Sequence, residues 1–324
     1  MIIMKKNLTI ITLCLLSAGL SAQDRNDSVF SESEIVLETS TGQIFGTLVV
    51  PDDAKISPVV LIIAGSGPTD RNCNSPMGVQ TNAYKMLSEN LAKSGIASLR
   101  FDKRGIAESR SAMTAESDLR FETYINDVNE WILLLKSDKR FSSIIILGHS
   151  EGSLIGMVAA GQYGIKGFIS ISGAGRPADI ILQEQLETKL PLQLMDESNK
   201  ILDSLKAGKT VSNVTLILAS LYRPSVQPYM ISWLRYDPAK EISKLKIPVL
   251  IVQGTTDLQV PVKDANLLSA AKPDAKLIII ENMNHVLKES DSDLQKNMAT
   301  YRNPDLPLKA GLTEGIVGFI KAIK

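Results

Sequence analysis

Residues 142–160 read SSIIILGHSEGSLIGMVAA. Ile144 to Leu147 form a short, wholly apolar run, the pattern of a strand covered on both faces. The residues from Ser153 onward have the apolar composition of a buried helix. Between them lies Gly148-His149-Ser150-Glu151-Gly152, a G-x-S-x-G in a strand–turn–helix context. The spacing has a physical reason. A turn this tight leaves no room for side chains two residues to either side of the serine, so glycines stand there. The turn lifts the Ser150 hydroxyl clear of the sheet at the start of a helix, whose positive end favours developing negative charge. Ser150 is the candidate nucleophile; the bland alternative is a Gly-rich turn with an idle serine.

Working outward, similar apolar runs recur between turn residues: PVVLIIAG (58–65), GIASLRFD (95–102), KGFISIS (166–172), IPVLIVQG (247–254) and AKLIIIE (275–281). Helical patterns fall between them at about 82–94, 119–137, 152–163 and 262–271, with a last one at 312–323. This alternation predicts an α/β fold with a mostly parallel, doubly wound sheet and right-handed crossovers. Residues 34–39 and 43–50 alternate around Thr41-Gly42 and predict an N-terminal antiparallel hairpin. One interval breaks the rhythm. Some seventy residues from Arg176 to Lys246 separate two core strands, where a dozen or so would suffice. The stretch is rich in Leu and Ile and punctuated by Gly208, Pro224 and Pro228, so it reads as an inserted helical cap. The expected organisation is a core over 23–175 and 247–324 with a cap over 176–246. Most of the cap's apolar side chains are expected to pack on the sheet, with a few above Ser150.

A serine hydroxyl needs a base, and the chain has two histidines. His149 sits beside Ser150 on the turn and reads as a packing residue. His285 follows the last predicted strand, at the end where such sheets place their ligands, and reads as general base and then acid. Asp257, in Gly254-Thr255-Thr256-Asp257 after another strand, is placed to orient His285 and stabilise its charged form. Asp179, after the preceding strand, is the rival acid. The order Ser150, Asp257, His285 is the hydrolase order. Acyl transfer also needs oxyanion donors: the backbone N–H of Glu151 and, from the glycine-rich loop after PVVLIIAG, that of Ser66.

Composition narrows the classes. The chain is 44% hydrophobic and 22% charged, close to a globular average. Thirty-five basic side chains balance thirty-five acidic ones, so there is no basic field for nucleic acid. No apolar run is long enough for a membrane span. Two histidines and two cysteines argue against a zinc finger, a disulfide framework and a His-rich metal site. Lys5-Lys6, the apolar stretch Leu8 to Leu16, and the small residues up to Ala22 follow the order of a secretory signal peptide over 1–22. Its removal leaves thirty-three basic against thirty-five acidic side chains, and Cys73 as the remaining cysteine. The expectation is an exported protein, periplasmic or secreted.

With these residues in hand, the chain resembles the α/β-hydrolase superfamily, above all bacterial carboxylesterases grouped with serine aminopeptidase-like and dienelactone-hydrolase-like proteins. Gly65-Ser66-Gly67-Pro68-Thr69-Asp70-Arg71-Asn72, Arg100-Phe101-Asp102-Lys103-Arg104-Gly105, Ser150-Glu151-Gly152, Gly254-Thr255-Thr256-Asp257 and Asn284-His285 carry the resemblance, which runs from about Ile35 onward. Ala64 departs from it, standing where many relatives carry the histidine of a His-Gly pair. The resemblance implies a Ser–His–Asp hydrolase without a cofactor, acting on a small-molecule ester; Asp102, Lys103 and Arg104 read first as loop-bracing ion pairs. Two other readings stay open. A peptidase would use the same triad with cap acids such as Glu184, Glu187, Asp196 or Glu197 for a peptide terminus. A non-catalytic binding protein could inherit the fold.

Overall fold

The computed structural model describes residues 29–187 and 189–323; the signal-peptide reading of 1–22 lies outside the described residues. Every predicted strand and core helix is present. The strands are β1 (Phe30–Thr39), β2 (Gly42–Pro51), β3 (Ser57–Ile63), the two-residue pair β4 (Asn74–Ser75) and β5 (Val79–Gln80), β6 (Ala97–Phe101), β7 (Phe141–His149), β8 (Gly167–Ile171), β9 (Val249–Gly254) and β10 (Lys276–Ile280). Apart from β4 and β5, they form one eight-stranded sheet in the order β1-β2-β6-β3-β7-β8-β9-β10. β1 and β2 make the antiparallel hairpin, longer than predicted at both ends, and β2 joins β6 antiparallel. All pairings from β6 to β10 are parallel. The carboxyl ends of β3, β6, β7, β9 and β10 therefore share one edge of the sheet.

The apolar runs divide between two cores because successive side chains of a strand point to opposite faces. Val59, Leu61 and Ile63 of β3 face one layer, with α2 (Phe121–Ser137), α3 (Glu151–Ala160) and α9 (Val262–Ala271). Val60 and Ile62 face the other, with α1 (Ala83–Lys93) and α11 (Leu312–Ala322). Helix α3 is buried along nearly its whole length, which explains why its sequence lacks a polar face.

Between β8 and β9 lie α4 (Ala178–Glu187), α5 (Leu192–Lys206), α6 (Leu216–Tyr222), α7 (Gln227–Trp233) and α8 (Pro238–Ser243). The expectation that most of their apolar residues would pack on the sheet needs correction. Ile201, Leu202, Leu205, Leu218, Tyr222 and Met230 form a small core of their own. Ile201, Leu202 and Leu205 of α5 meet Leu218 and Tyr222 of α6 and Met230 of α7, so these helices supply each other with the burial that was assigned to the sheet. Tyr229 and Trp233 instead join the main core, where both rings meet Phe121 of α2.

Candidate active site

Ser150 occupies the turn between β7 and α3 with φ 54° and ψ −122°, a conformation that L-residues rarely adopt. The flanking glycines are what make it possible. A Cβ on Gly148 would lie 2.2 Å from the Gly152 carbonyl oxygen, and a Cβ on Gly152 would lie 2.4 Å from that of Ile63. Alanine at either place would collide with backbone.

His285 lies five residues beyond β10, and Asp257 three beyond β9. Their side chains meet: His285 Nδ1 is 2.8 Å from Asp257 Oδ2. Close approach of backbone to backbone permits it, since a Cβ on Gly254 would fall 1.9 Å from the Met283 carbonyl oxygen. Asp257 Oδ1 accepts from the N–H groups of Gln259 (2.8 Å) and Val260 (2.9 Å), and Oδ2 accepts also from Gln253 Nε2 (3.1 Å). Burial alone would raise the Asp257 carboxyl. The neighbouring His285 and the backbone donors outweigh it and hold the group below the ordinary aspartate value. The rival Asp179 is in the first turn of α4 and bonds Lys206 Nζ at 2.5 Å, not a histidine.

His149 is buried and does structural work. Its Nε2 is 2.8 Å from the His285 carbonyl oxygen, and its Nδ1 is 2.7 Å from the Tyr84 hydroxyl. A carbonyl can only accept, so Nε2 carries the proton and Nδ1 accepts from Tyr84. The same Tyr84 oxygen accepts the Gly65 N–H at 3.3 Å. Burial, and then the His285 ring 4.8 Å away, push the His149 pKa down to about 3. The sign follows: below the ordinary value of 6.5 the unfolded chain gains a proton that the folded one refuses, so stability falls with acid between pH 6.5 and about 3. We expect this group to cost about 2 kcal/mol between pH 7.5 and pH 5. Urea unfolding at the two pH values should show that difference shrinking by about this amount in His149→Gln; an unchanged difference would contradict the neutral-histidine assignment.

A cavity of about 100 Å³ opens over Ser150. Ser66 and Glu151 line it beside the serine, together with Leu154, Ile181, Leu182 and Trp233. The Gly65–Ser66 loop is tight against the nucleophile, since a Cβ on Gly65 would come within 3.1 Å of Ser150 Cβ. Within the described chain, the backbone N–H groups of Ser66 and Glu151 have no hydrogen-bond acceptor, and the Ser150 hydroxyl bonds no neighbour. The structure thus brings Ser150, Ser66 and Glu151 to one cavity and joins Asp257 to His285. The His149–His285 bond then holds the base loop against the turn that carries Ser150.

Asp102 and Arg104 brace loops as expected. Asp102 accepts from Arg71 N–H at 2.8 Å, and Arg104 forks onto Asp127 at 2.6 and 3.1 Å. Lys103 does something else. It is buried with Glu151, their Nζ and Oε2 3.1 Å apart, and also reaches the Gly65 carbonyl oxygen at 2.6 Å. Tyr229 of α7 donates to the other Glu151 oxygen at 2.6 Å, its hydroxyl kept protonated by burial first and the adjacent Glu151 second. Sequence reasoning gave Tyr84 no role and took Tyr229 only as a cap side chain to be buried, missing its bond to Glu151. Neither residue carries a motif, and each reaches the site only through a helix whose placement is tertiary. Cys73 is buried, which pushes its thiol up to about 11 and leaves it inert.

Strand order, the antiparallel hairpin and the serine on a strained β7–α3 turn coincide with one known architecture. The chain has the α/β-hydrolase fold. Among solved structures of that fold, Est1E from Butyrivibrio proteoclasticus with ferulic acid bound has a TM-score of 0.59 at 19% identity, covering 89% of this chain and 99% of that one. A dienelactone hydrolase from Anabaena variabilis gives 0.52 at 14% identity, covering 91% and 99%. By sequence, residues 77–228 match the family model for serine aminopeptidase, S33. Esterase EstD of Thermotoga maritima is 26% identical over 273 residues, 80% of this chain. The chain spans about 60% of that curated relative's length. Among the described residues no helix is long and apolar enough to cross a membrane, and no group of three or more His, Cys, Asp or Glu could hold a metal ion.

Proposed function

We propose that this α/β-hydrolase is an exported serine carboxylesterase that cleaves short- to medium-chain acyl esters. The Asp257–His285 pair at the same sheet edge as the strained Ser150 is the observation that carries the reading. Ser150 Oγ attacks the ester carbonyl while His285 takes its proton, and the tetrahedral oxyanion is held by the Ser66 and Glu151 N–H groups. Collapse expels the alcohol, which receives the proton from His285. Water, deprotonated by His285, then releases the acid and restores Ser150. The hydroxyl–imidazole contact closes with substrate, as such contacts commonly do. Asp257 fixes the proton on Nδ1 and stabilises the imidazolium.

The family match to serine aminopeptidases favours a peptidase as the second reading. The acids that could hold a peptide terminus are otherwise occupied or outside the cavity. Glu184 pairs with Arg176 and Lys263, Glu197 bonds Thr215, and neither Glu187 nor Asp196 lines the space above Ser150. Esters therefore rank first, in keeping with the esterase names of EstD and Est1E. Export rests on the signal-peptide order of residues 1–22, and a mature chain starting after Ala22 would establish it.

A fluorophosphonate probe should label Ser150, and p-nitrophenyl esters should be turned over far faster than aminoacyl anilides. Anilides turned over faster than esters would give the peptidase reading instead. The cavity adds a chain-length expectation. Each methylene buried against Leu154, Ile181, Leu182 or Trp233 contributes about 0.8 kcal/mol until about 100 Å³ is filled. We expect kcat/KM to rise from acetyl to butyryl or hexanoyl esters and to fall by dodecanoyl. A flat series, or a maximum at dodecanoyl, would show that this cavity does not hold the acyl chain.

A further inference from the structure

We infer that Lys103 is a positioning residue of the oxyanion hole, acting through both of its backbone donors; the inference rests on the serine-esterase reading above. The key is a single peptide unit. The Gly65 carbonyl and the Ser66 N–H belong to the same amide, whose resonance couples its two ends. The Lys103 ammonium donates to that carbonyl at 2.6 Å. A cation on the oxygen draws electron density from the nitrogen and makes the N–H a stronger donor, and the low local dielectric enhances the effect. The same ammonium bonds Glu151 Oε2 at 3.1 Å, on the residue that supplies the other donor. A third side of Lys103 faces the Tyr124 ring, with Nζ 4.8 Å from its centre. One charge thus joins the β3 loop to the start of α3, and so fixes the spacing of the two N–H groups.

Fold stability alone gives no reason for this pair. Lys103 is 2% and Glu151 4% exposed, and burying two charges costs desolvation that an apolar pair of like volume would avoid. The neighbours make the contrast. Asp102 and Arg104 flank Lys103 yet bond Arg71 and Asp127, away from the cavity; Lys103 alone of the three bonds residues that line or adjoin it. The preceding peptide unit is held separately, its Gly65 N–H donating to the Tyr84 hydroxyl at 3.3 Å, so a loss at Lys103 acts on donor strength and aim more than on the course of the loop.

The test compares wild type, Lys103→Met, Lys103→Gln and the charge-balanced Lys103→Met/Glu151→Gln, with Ser150→Ala as the blank. Steady-state hydrolysis of p-nitrophenyl butyrate, inhibition by benzeneboronic acid (which forms a tetrahedral adduct on the serine) and thermal midpoints are measured. Removing a whole oxyanion donor costs roughly 100- to 1,000-fold, so weakening one should lower kcat by about 10- to 100-fold. We expect that loss in Lys103→Met with KM within twofold, a parallel loss of boronate affinity, and a smaller loss in Lys103→Gln. The double variant should fold with a near wild-type midpoint and stay slow, because the Gly65 carbonyl still lacks its cation. Should Lys103→Met fail to fold, the double variant and Lys103→Gln decide the matter. A double variant that regains wild-type kcat would overturn the inference, reducing Lys103 to a counter-ion for Glu151. So would a raised KM with kcat intact, or boronate affinity unchanged. Turnover surviving in Ser150→Ala overturns the esterase reading itself, and is distinguished because it does not depend on position 103.

Discussion

Ser150→Ala is expected to lower ester turnover by on the order of 10⁶-fold and to abolish fluorophosphonate labelling, with the fold intact. The size of the loss follows from the role: without Oγ there is no atom to carry the acyl group, and only binding and the two N–H donors remain. The fold survives because alanine keeps the Cβ that this turn already accommodates at φ 54°. Serine to alanine removes one oxygen from the cavity and nothing from either core. Thermal unfolding at a wild-type midpoint, with turnover at background, is the expected pair of results. Substantial hydrolysis by pure Ser150→Ala would place the nucleophile elsewhere.

Asp257→Asn should cost roughly 10⁴-fold in kcat, because the amide cannot fix the His285 tautomer or balance the charge that forms on its ring. The substitution is nearly isosteric, yet it also disturbs a carboxylate that accepts from Gln253, Gln259 and Val260. An asparagine oxygen can keep the two backbone donors of the Gln259–Val260 turn while its NH₂ faces His285. The rate should therefore fall far more than the stability. Asp179→Asn is the control. Asp179 lies in α4 and bonds Lys206, which is half exposed, so its loss should change kcat less than threefold or so. A reversal of the two effects, measured as kcat for p-nitrophenyl butyrate, would move the acid from the end of β9 to the start of α4.

The sheet was legible because its strands are short, apolar and punctuated, and parallel strands covered on both faces leave that trace. The elbow was legible for a stronger reason: two glycines must stand two residues from the serine, and their absent side chains are what the 2.2 and 2.4 Å approaches require. Asp257 could be proposed from its place after β9, yet its preference over Asp179 needed the contact with His285 that only the fold creates. The supporting residues were hidden. Tyr84 acts from α1 and Tyr229 from α7, and neither spacing nor residue type marks a tyrosine that reaches across 65 or 78 positions. Lys103 was read with its neighbours as one charged cluster, because a sequence does not say which of three adjacent charges turns inward. The cap's own core was missed for a related reason: apolar residues declare that they will be buried, not against what.

The bond from Tyr229 to Glu151 also bears on how substrate enters. Swinging the α7 segment away would strand one carboxylate oxygen of a buried ion pair and break the contact of Trp233 with Phe121. That part of the roof is bolted to the elbow, and we expect traffic to and from Ser150 to pass elsewhere, beside Gln185 of α4 and Gln259 beyond β9, which also line the cavity. On the proposed esterase function, such an entrance leaves no opening step to wait for, and turnover should be indifferent to added viscogen once substrate is saturating. Its selectivity would be that of a gauge, set by the width of the passage and not by the energy of a moving lid.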